Sequence, residues 1–292
     1  MNTLGHLFRV TTWGESHGKA LGLVVDGCPP NLPLSEEYVQ KELDKRKPSA
    51  KGSTARREPD QVEILSGVFE GKTLGTPICM LVRNIDQKPE DYAALKNTFR
   101  KGHADLTYQT KFGIRDHRGG GRASGRETVA RVMAGAVARL ILPKIKIESH
   151  FDQKIIKKAE KAAEENDSIG GIVEIIVKNS PAGLGSPVFG KLQAELAKAL
   201  LSVGAVKGFE FGEGFAAAAL KGSEHNEKPT GGMAGGISDG SDIILRVAIK
   251  PPSSVKIGGR HDACLIPRIN IVLESMVAIV LADQFLMQKT NV

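Results

Sequence analysis

Short continuous or alternating apolar runs mark strands in this chain, and longer stretches with apolar residues every three or four positions mark helices. Residues 7–12 and 20–26 (ALGLVVD) predict two paired strands joined by the turn Gly14-Glu15-Ser16-His17-Gly18. Ser35 predicts a helix cap, with Glu36 and Glu37 in the first turn, Lys45, Arg46 and Lys47 in the last, and Pro48 as the stop. The polar, basic stretch 49–59 predicts a mobile loop, and β-like runs follow at 62–66 and 77–83. Residues 100–122 have no apolar period, yet they carry His103, Asp105, Arg115, Asp116, His117, Arg118 and Arg122. Such a segment is expected to be solvated loop or active site.

Ser124-Gly125-Arg126-Glu127 has the form of a capping box. Behind it, Val129, Val132, Met133, Ala136, Val137 and Leu140 share one face of a helix that Pro143 ends. An amphipathic helix is predicted over 153–165, a strand over 170–178, and a helix through Leu192, Leu196, Ala199, Leu200 and Val203. Strands at 206–211 and 242–250 precede a last helix, 268–288, that is apolar nearly all round. Because Leu265 to Leu286 contains Arg268, Glu274 and Asp283, it reads as a buried helix and not a membrane span. Helices 126–142 and 268–288 each follow a Gly-Arg-rich stretch, which hints at two related halves. Strands and helices do not alternate as βαβ units, which disfavours a doubly wound sheet. The expectation is an α+β fold, a single domain over 1–292 with two antiparallel sheets packed on central helices.

Composition sharpens this picture. Hydrophobic residues make up 41% of the 292, enough for a sizeable core, while 33 glycines with only 5% aromatics imply tight turns and backbone close to a ligand. The net charge of +7 suits an anionic partner, whether phosphorylated metabolite, nucleotide or nucleic acid, or serves solubility alone. Cys28, Cys79 and Cys264 are odd in number and lack CxxC spacing, which argues against a disulfide scaffold or zinc site and fits a reducing, cytoplasmic setting. No metal cluster has workable spacing, and no signal peptide is visible at the N-terminus.

Several motifs resemble known devices and fail on context. Gly14-Glu15-Ser16-His17-Gly18 matches G-x-S-x-G, but a nucleophile elbow needs a strand-to-helix turn and the next segment here is strand-like. A turn exposing Ser16 beside His17 suits proton transfer better. GVFEGKT (67–73) is one residue short of a phosphate-binding loop, and Gly119, Gly121 and Ser124 miss the dinucleotide fingerprint at its last position. The run Arg118 to Arg126 (RGGGRASGR) places glycines and three arginines around a helix N-terminus, where an anion should bind. RGG-like sequence also occurs in nucleic-acid binders, but the aromatic platforms that single strands require are absent. Lys250-Pro251-Pro252-Ser253-Ser254 offers an ammonium and two hydroxyls to a phosphate, and Gly258 to Asp262 adds Arg260, His261 and Asp262 before a helix. His6, His150 and His225 lie in unremarkable contexts.

Taken in order, GESHG with VVDGCP after it, Gly102-His103-Ala104-Asp105-Leu106-Thr107-Tyr108, GGGRASGRE, KPPSS and Gly259-Arg260-His261-Asp262 resemble the chorismate synthase family from residue 5 to about 288. The resemblance implies a β-α-β sandwich, a homotetramer, and phosphate elimination from 5-enolpyruvylshikimate 3-phosphate to give chorismate for aromatic amino acids. It also implies reduced FMN, used without net redox change, and NADPH as reductant in some members. By resemblance, His17 protonates the departing phosphate and His103 serves the N1 side of the flavin. Asp262, Ser16 and Ser124 help manage the proton at flavin N5. Flavin-binding positions fall on Arg122, Ala123, Ser124, Gly204, Ala205, Gly235, Lys250, Pro251, Pro252, Ser253, Ser254 and Arg260. Arg46 matches a position assigned to NADP, with Lys51 nearby. Its place at the end of the first helix equally suits a partner for the helix dipole.

The chain departs from that pattern in places. Gly204 stands where Asn is common, Pro252 where Thr is usual, Ala263 where Pro is usual, and Lys228-Pro229 where an Asn-His pair is usual. It is also shorter than most members near Ile147, near residue 225 and after Val255. A thinner cover over the flavin is expected from these shortenings.

Overall fold

The strand β1 (Thr3–Leu4) pairs with β2 (Arg9–Trp13), which folds back on β3 (Ala20–Asp26) as the alternating pattern predicts. Helix α1 (Glu36–Asp44) follows, capped by Ser35, whose hydroxyl accepts from the Tyr38 N–H. Then come β4 (Val62–Ile64), the small ribbon β5 (Val68–Phe69) and β6 (Lys72–Thr73), and β7 (Ile78–Arg83). Helix α2 (Asp105–Phe112) precedes α3 (Thr128–Ile141). The second half runs through β8 (Lys146–His150), α4 (Lys154–Glu164), β9 (Gly171–Lys178), α5 (Leu192–Leu201) and β10 (Val206–Phe211). It ends with the short α6 (Gly222–Asn226), the ribbon β11 (Met233–Ala234) and β12 (Ile237–Ser238), β13 (Ile243–Ile249) and α7 (Ile266–Thr290). This computed structural model describes residues 1–47, 58–86, 89–253 and 262–290. Lys51, Ser254, Arg260, His261 and nearly all of the loop expected at 49–59 lie outside them.

Two antiparallel sheets result, ordered β1-β2-β3-β7-β4 and β10-β13-β9-β8, as expected for the α+β class. One face of each sheet is apolar: Leu21, Leu23, Val25, Ile78, Met80 and Val82 in the first, Val173, Ile175, Val177, Leu245 and Val247 in the second. These faces meet the helices between them, with α3 against the first sheet, α5 and α7 against the second, and α3 packed on α7. Helix α7 is long and apolar enough to cross a membrane, but 78% of its most apolar window is buried inside the protein. It is a core helix because α3, α5 and the second sheet surround it. Its Asp283 carboxylate accepts backbone N–H groups from Leu7 (2.7 Å) and Phe8 (2.9 Å), tying the chain start to the core.

Three expectations need correction. The segment 100–122 contains α2, a helix without an apolar stripe because its buried residue is Asp105 while Leu106 and Phe112 stay exposed. The Ser124 hydroxyl accepts from Arg126 N (3.3 Å), and Glu127 turns to Arg131 (2.9 Å) instead of closing a capping box. A 3-10 turn, Gly125–Glu127, therefore leads into α3. Lys45, Arg46 and Lys47 lie beyond the last turn of α1, which ends at Asp44.

Candidate active site

The loop between β2 and β3 carries Ser16 and His17. Gly14 closes that loop at a φ of +94°, where a Cβ would sit 2.3 Å from the Ala20 carbonyl oxygen. The loop is a hairpin connection within an antiparallel sheet, so Ser16 does not stand on a nucleophile elbow. Both side chains are buried, Ser16 fully and His17 to 4% exposure, which corrects the exposed pair expected from the turn. The Ser16 N–H donates to the Gly121 carbonyl (3.3 Å), joining this loop to the glycine run.

The glycine run reaches the two histidines. A Cβ on Gly119 would lie 2.4 Å from His17 Cδ2 and 2.7 Å from Ser16 Oγ, and one on Gly120 would lie 3.0 Å from His103 Cε1. Both residues have positive φ, +61° and +91°. The bare backbone of Gly119-Gly120 is therefore a wedge with one imidazole packed on each side. The Tyr92 ring meets His17 edge to face, with centroids 4.9 Å apart.

Asp105, at the first turn of α2, holds His103. Its Oδ1 is 2.9 Å from His103 Nδ1, and the same carboxylate accepts from Arg100 Nε (2.8 Å), Arg100 Nη2 (2.9 Å) and the Arg100 N–H (3.1 Å). Burial alone would raise the Asp105 pKa, but those bonds and the charges of His103 and Arg100 hold it well below the carboxylate range. Burial first, and the Arg100 guanidinium next, lower the His103 pKa against the pull of Asp105, so its ring is neutral near pH 7.

His17 and His103 open into one cleft of about 1030 Å³ between the two halves of the molecule. Arg122, Ala123 and Ser124 border it from the first half, and Gly204, Ala205, Lys250, Pro252, Ser253 and Asp262 from the second. The Lys250 N–H donates to the Ala205 carbonyl (2.9 Å), which joins two of the predicted flavin segments. Lys250 Nζ bonds the Ser253 hydroxyl, which donates to the Gly102 carbonyl (2.8 Å) beside His103. Burial lowers the Lys250 pKa, helped by Lys207. A Cβ on Gly204 would meet nothing within 4 Å, so this position has room for a side chain. Pro251 precedes this wall without lining it, and Gly235, in the β11–β12 turn, does not line the cleft either.

The arginines divide. Arg122 has no carboxylate partner among the described residues; its guanidinium donates to Thr12 Oγ1 (2.7 Å), Thr12 O (3.3 Å) and Gly14 O (3.3 Å). Arg118, expected at the same anion-binding end, turns outward to Asp116 (2.8 Å). Arg46 is buried, its guanidinium donating to Thr128 Oγ1 (3.1 Å), Gly125 O (3.2 Å) and Asp60 Oδ2 (3.3 Å). Burial lowers its pKa to about 10, which leaves it charged at neutral pH. With these partners Arg46 braces the start of α3, and it is not a cap for the carbonyls of α1. Asp60 also takes Arg126, and Arg268 clasps Asp262 (2.7 and 3.0 Å). Asp60, Asn84, Tyr92 and Arg268 carried no sequence signal as site residues; only the fold brings them to the histidines.

Comparison with known proteins places the chain in a family. A sequence profile described as Chorismate synthase matches residues 8–153 and 147–286. The two matched segments overlap at 147–153, around the Ile147 position where a shortened loop was expected. A chorismate synthase from Syntrophus aciditrophicus is 48% identical over 347 aligned positions, covering 99% of this chain and 98% of the relative. One from Archaeoglobus fulgidus is 47% identical over 352 positions, covering 99% and 98%. A solved structure titled Crystal Structure of Chorismate Synthase superposes with a TM-score of 0.77 at 32% identity, over 97% of this chain and 93% of that one. With the profile match, the identity over nearly the full length and the fold in agreement, this chain belongs to the chorismate synthase family.

Proposed function

We propose that this protein eliminates phosphate from 5-enolpyruvylshikimate 3-phosphate to give chorismate, a carbon–oxygen lyase reaction on the route to aromatic amino acids. The observation that carries the reading is the wedge: two imidazoles on either side of Gly119-Gly120, facing one cleft. At about 1030 Å³ that cleft lies at the upper end of single-ligand pockets, which leaves space for a flavin beside a substrate. The donors suit two phosphorylated guests, with Arg122 and Lys250 as cations and the N–H groups of the turn into α3 at the same wall. Reduced FMN, when bound, supplies electron density to the substrate ring and accepts the ring hydrogen.

The protein's part is binding and proton handling. Lys250, Ser253 and the Gly204-Ala205 backbone hold the flavin, and Arg122 draws anionic groups into the cleft. His17, buried between the Gly119 backbone and the Tyr92 ring, gives its proton to the departing phosphate. His103 stays neutral and is fixed through Nδ1 by Asp105 on the flavin side. Asp262, clasped by Arg268, would help Ser16 and Ser124 manage the ring proton. A homotetramer in the cytoplasm belongs to the same reading, and sedimentation of the purified chain tests the assembly.

Anaerobic mixing with chemically reduced FMN and 5-enolpyruvylshikimate 3-phosphate is expected to release chorismate and phosphate. No product above a protein-free control refutes the proposal. His17→Ala and His103→Ala should each lower turnover by about 10²–10⁴-fold with folding retained. Full activity in either variant removes that histidine from the chemistry. Turnover with NADPH as sole reductant would add flavin reduction to the protein's activities.

A further inference from the structure

The loop bearing Ser16 and His17 is held from outside by one side chain on the neighbouring strand. Asn84 follows β7 directly, and its N–H extends the β3–β7 ladder by donating to the Lys19 carbonyl (3.1 Å). Its carboxamide then reaches the loop itself. Nδ2 donates to the Gly18 carbonyl (2.8 Å) and the Glu15 carbonyl (3.2 Å), the two that bracket Ser16-His17. Oδ1 accepts from Arg126 Nε (3.1 Å), and Arg126 is anchored through Nη1 by Asp60.

This arrangement admits one orientation of the amide. The two carbonyls can only accept and the guanidinium can only donate, so a flipped carboxamide would oppose like to like at all three contacts. Asn84 is buried, which shields these bonds from competing water. No other residue type supplies two donors and one acceptor at that reach. Asp would set a carboxylate oxygen against two carbonyl oxygens, and Ser or Ala would fall short.

We propose that Asn84 is a positioning residue that clamps the Glu15–Gly18 loop to Arg126 in the cleft wall and so fixes the His17 imidazole against Gly119. Its catalytic consequence rests on the proton-donor role assigned to His17 above; its structural consequence does not.

Two measurements test the clamp on the full chain. In ligand-free protein with isotope-labelled histidine, Asn84→Ala and Asn84→Asp should move the ring resonances of His17 and leave those of His103 in place. In steady-state kinetics, Asn84→Ala should lower kcat by about 10²-fold, the scale of a displaced catalytic group. It should have little effect on kcat in a His17→Ala background, because the two changes act through one imidazole. Unmoved His17 resonances in a folded variant, or an equal kcat loss in both backgrounds, overturns the proposal. Asn84→Ser carries the same comparison where the alanine variant does not fold. Should the wild-type protein form no chorismate, the functional reading falls while the resonance measurement still decides the clamp.

Discussion

At the residue scale, the glycines of the 118–126 run do something other than bare the backbone to a ligand. Gly119 and Gly120 are where two histidines, 86 positions apart in sequence, come to rest on the main chain. A methyl group on Gly119 would overlap the His17 ring and would also force a side chain into a φ of +61°. Gly119→Ala should therefore cost about 1–2 kcal/mol from backbone conformation and lower turnover by about 10²-fold through a displaced imidazole. Thermal unfolding and kinetics measure the two. Gly204→Ala is the contrast, since its Cβ meets nothing and its stability should change by no more than about 0.5 kcal/mol. Wild-type turnover in Gly119→Ala would remove the wedge from the argument. His17 and His103 were legible because glycines flank them in polar stretches. The partners Asn84 and Asp60 were not, because they carry ordinary polar side chains whose roles depend on what packs against them.

At the scale of elements, α2 shows where pattern reading stops. Helix prediction from periodicity requires an apolar face, and α2 buries a carboxylate instead. That choice sets the charge state of the site, because the first turn of α2 keeps His103 away from water and beside Arg100. The folded imidazole titrates below its unfolded counterpart, which takes up a proton at about pH 6.5. The unfolded chain therefore binds this proton first as pH falls, and the contribution to stability is complete above about pH 6.5 and lost on acidification below it. Denaturant unfolding at about pH 7 and about pH 5.5 should show that decline in the wild-type protein and a smaller one in His103→Gln. Equal declines would mean that the ring ionises freely inside the fold. By contrast α4, α5 and the strands β2, β3, β4, β7, β9, β10 and β13 followed their patterns closely, since each buries an apolar face.

At the scale of the molecule, the cleft exists because two halves meet. His17, Arg122 and the glycine wedge come from the first, and Lys250, Gly204 and Asp262 from the second. Helices α3 and α7 form the joint, and Gly135 lies in their contact; a Cβ there would stand 2.4 Å from Ser275 Cβ and 2.6 Å from its Oγ. Gly135→Val should separate the helices, cost about 1–3 kcal/mol in overpacking, and weaken flavin binding together with turnover. Denaturant titration and flavin affinity check both. Lost stability with unchanged flavin affinity would show that the cleft tolerates movement at the joint.

The sequence alone determined the α+β class, the order of the longer strands and helices apart from β8 and α2, the buried nature of the last helix and the ordered motifs that resemble chorismate synthases. These follow from local periodicity, turn chemistry and spacing, which are properties of neighbouring residues. Only the tertiary structure decided that Gly119-Gly120 separates two imidazoles, that Arg118 faces outward and that Asn84 clasps the His17 loop. Those facts depend on side chains far apart in the chain competing for the same few donors and acceptors, and folding settles that competition.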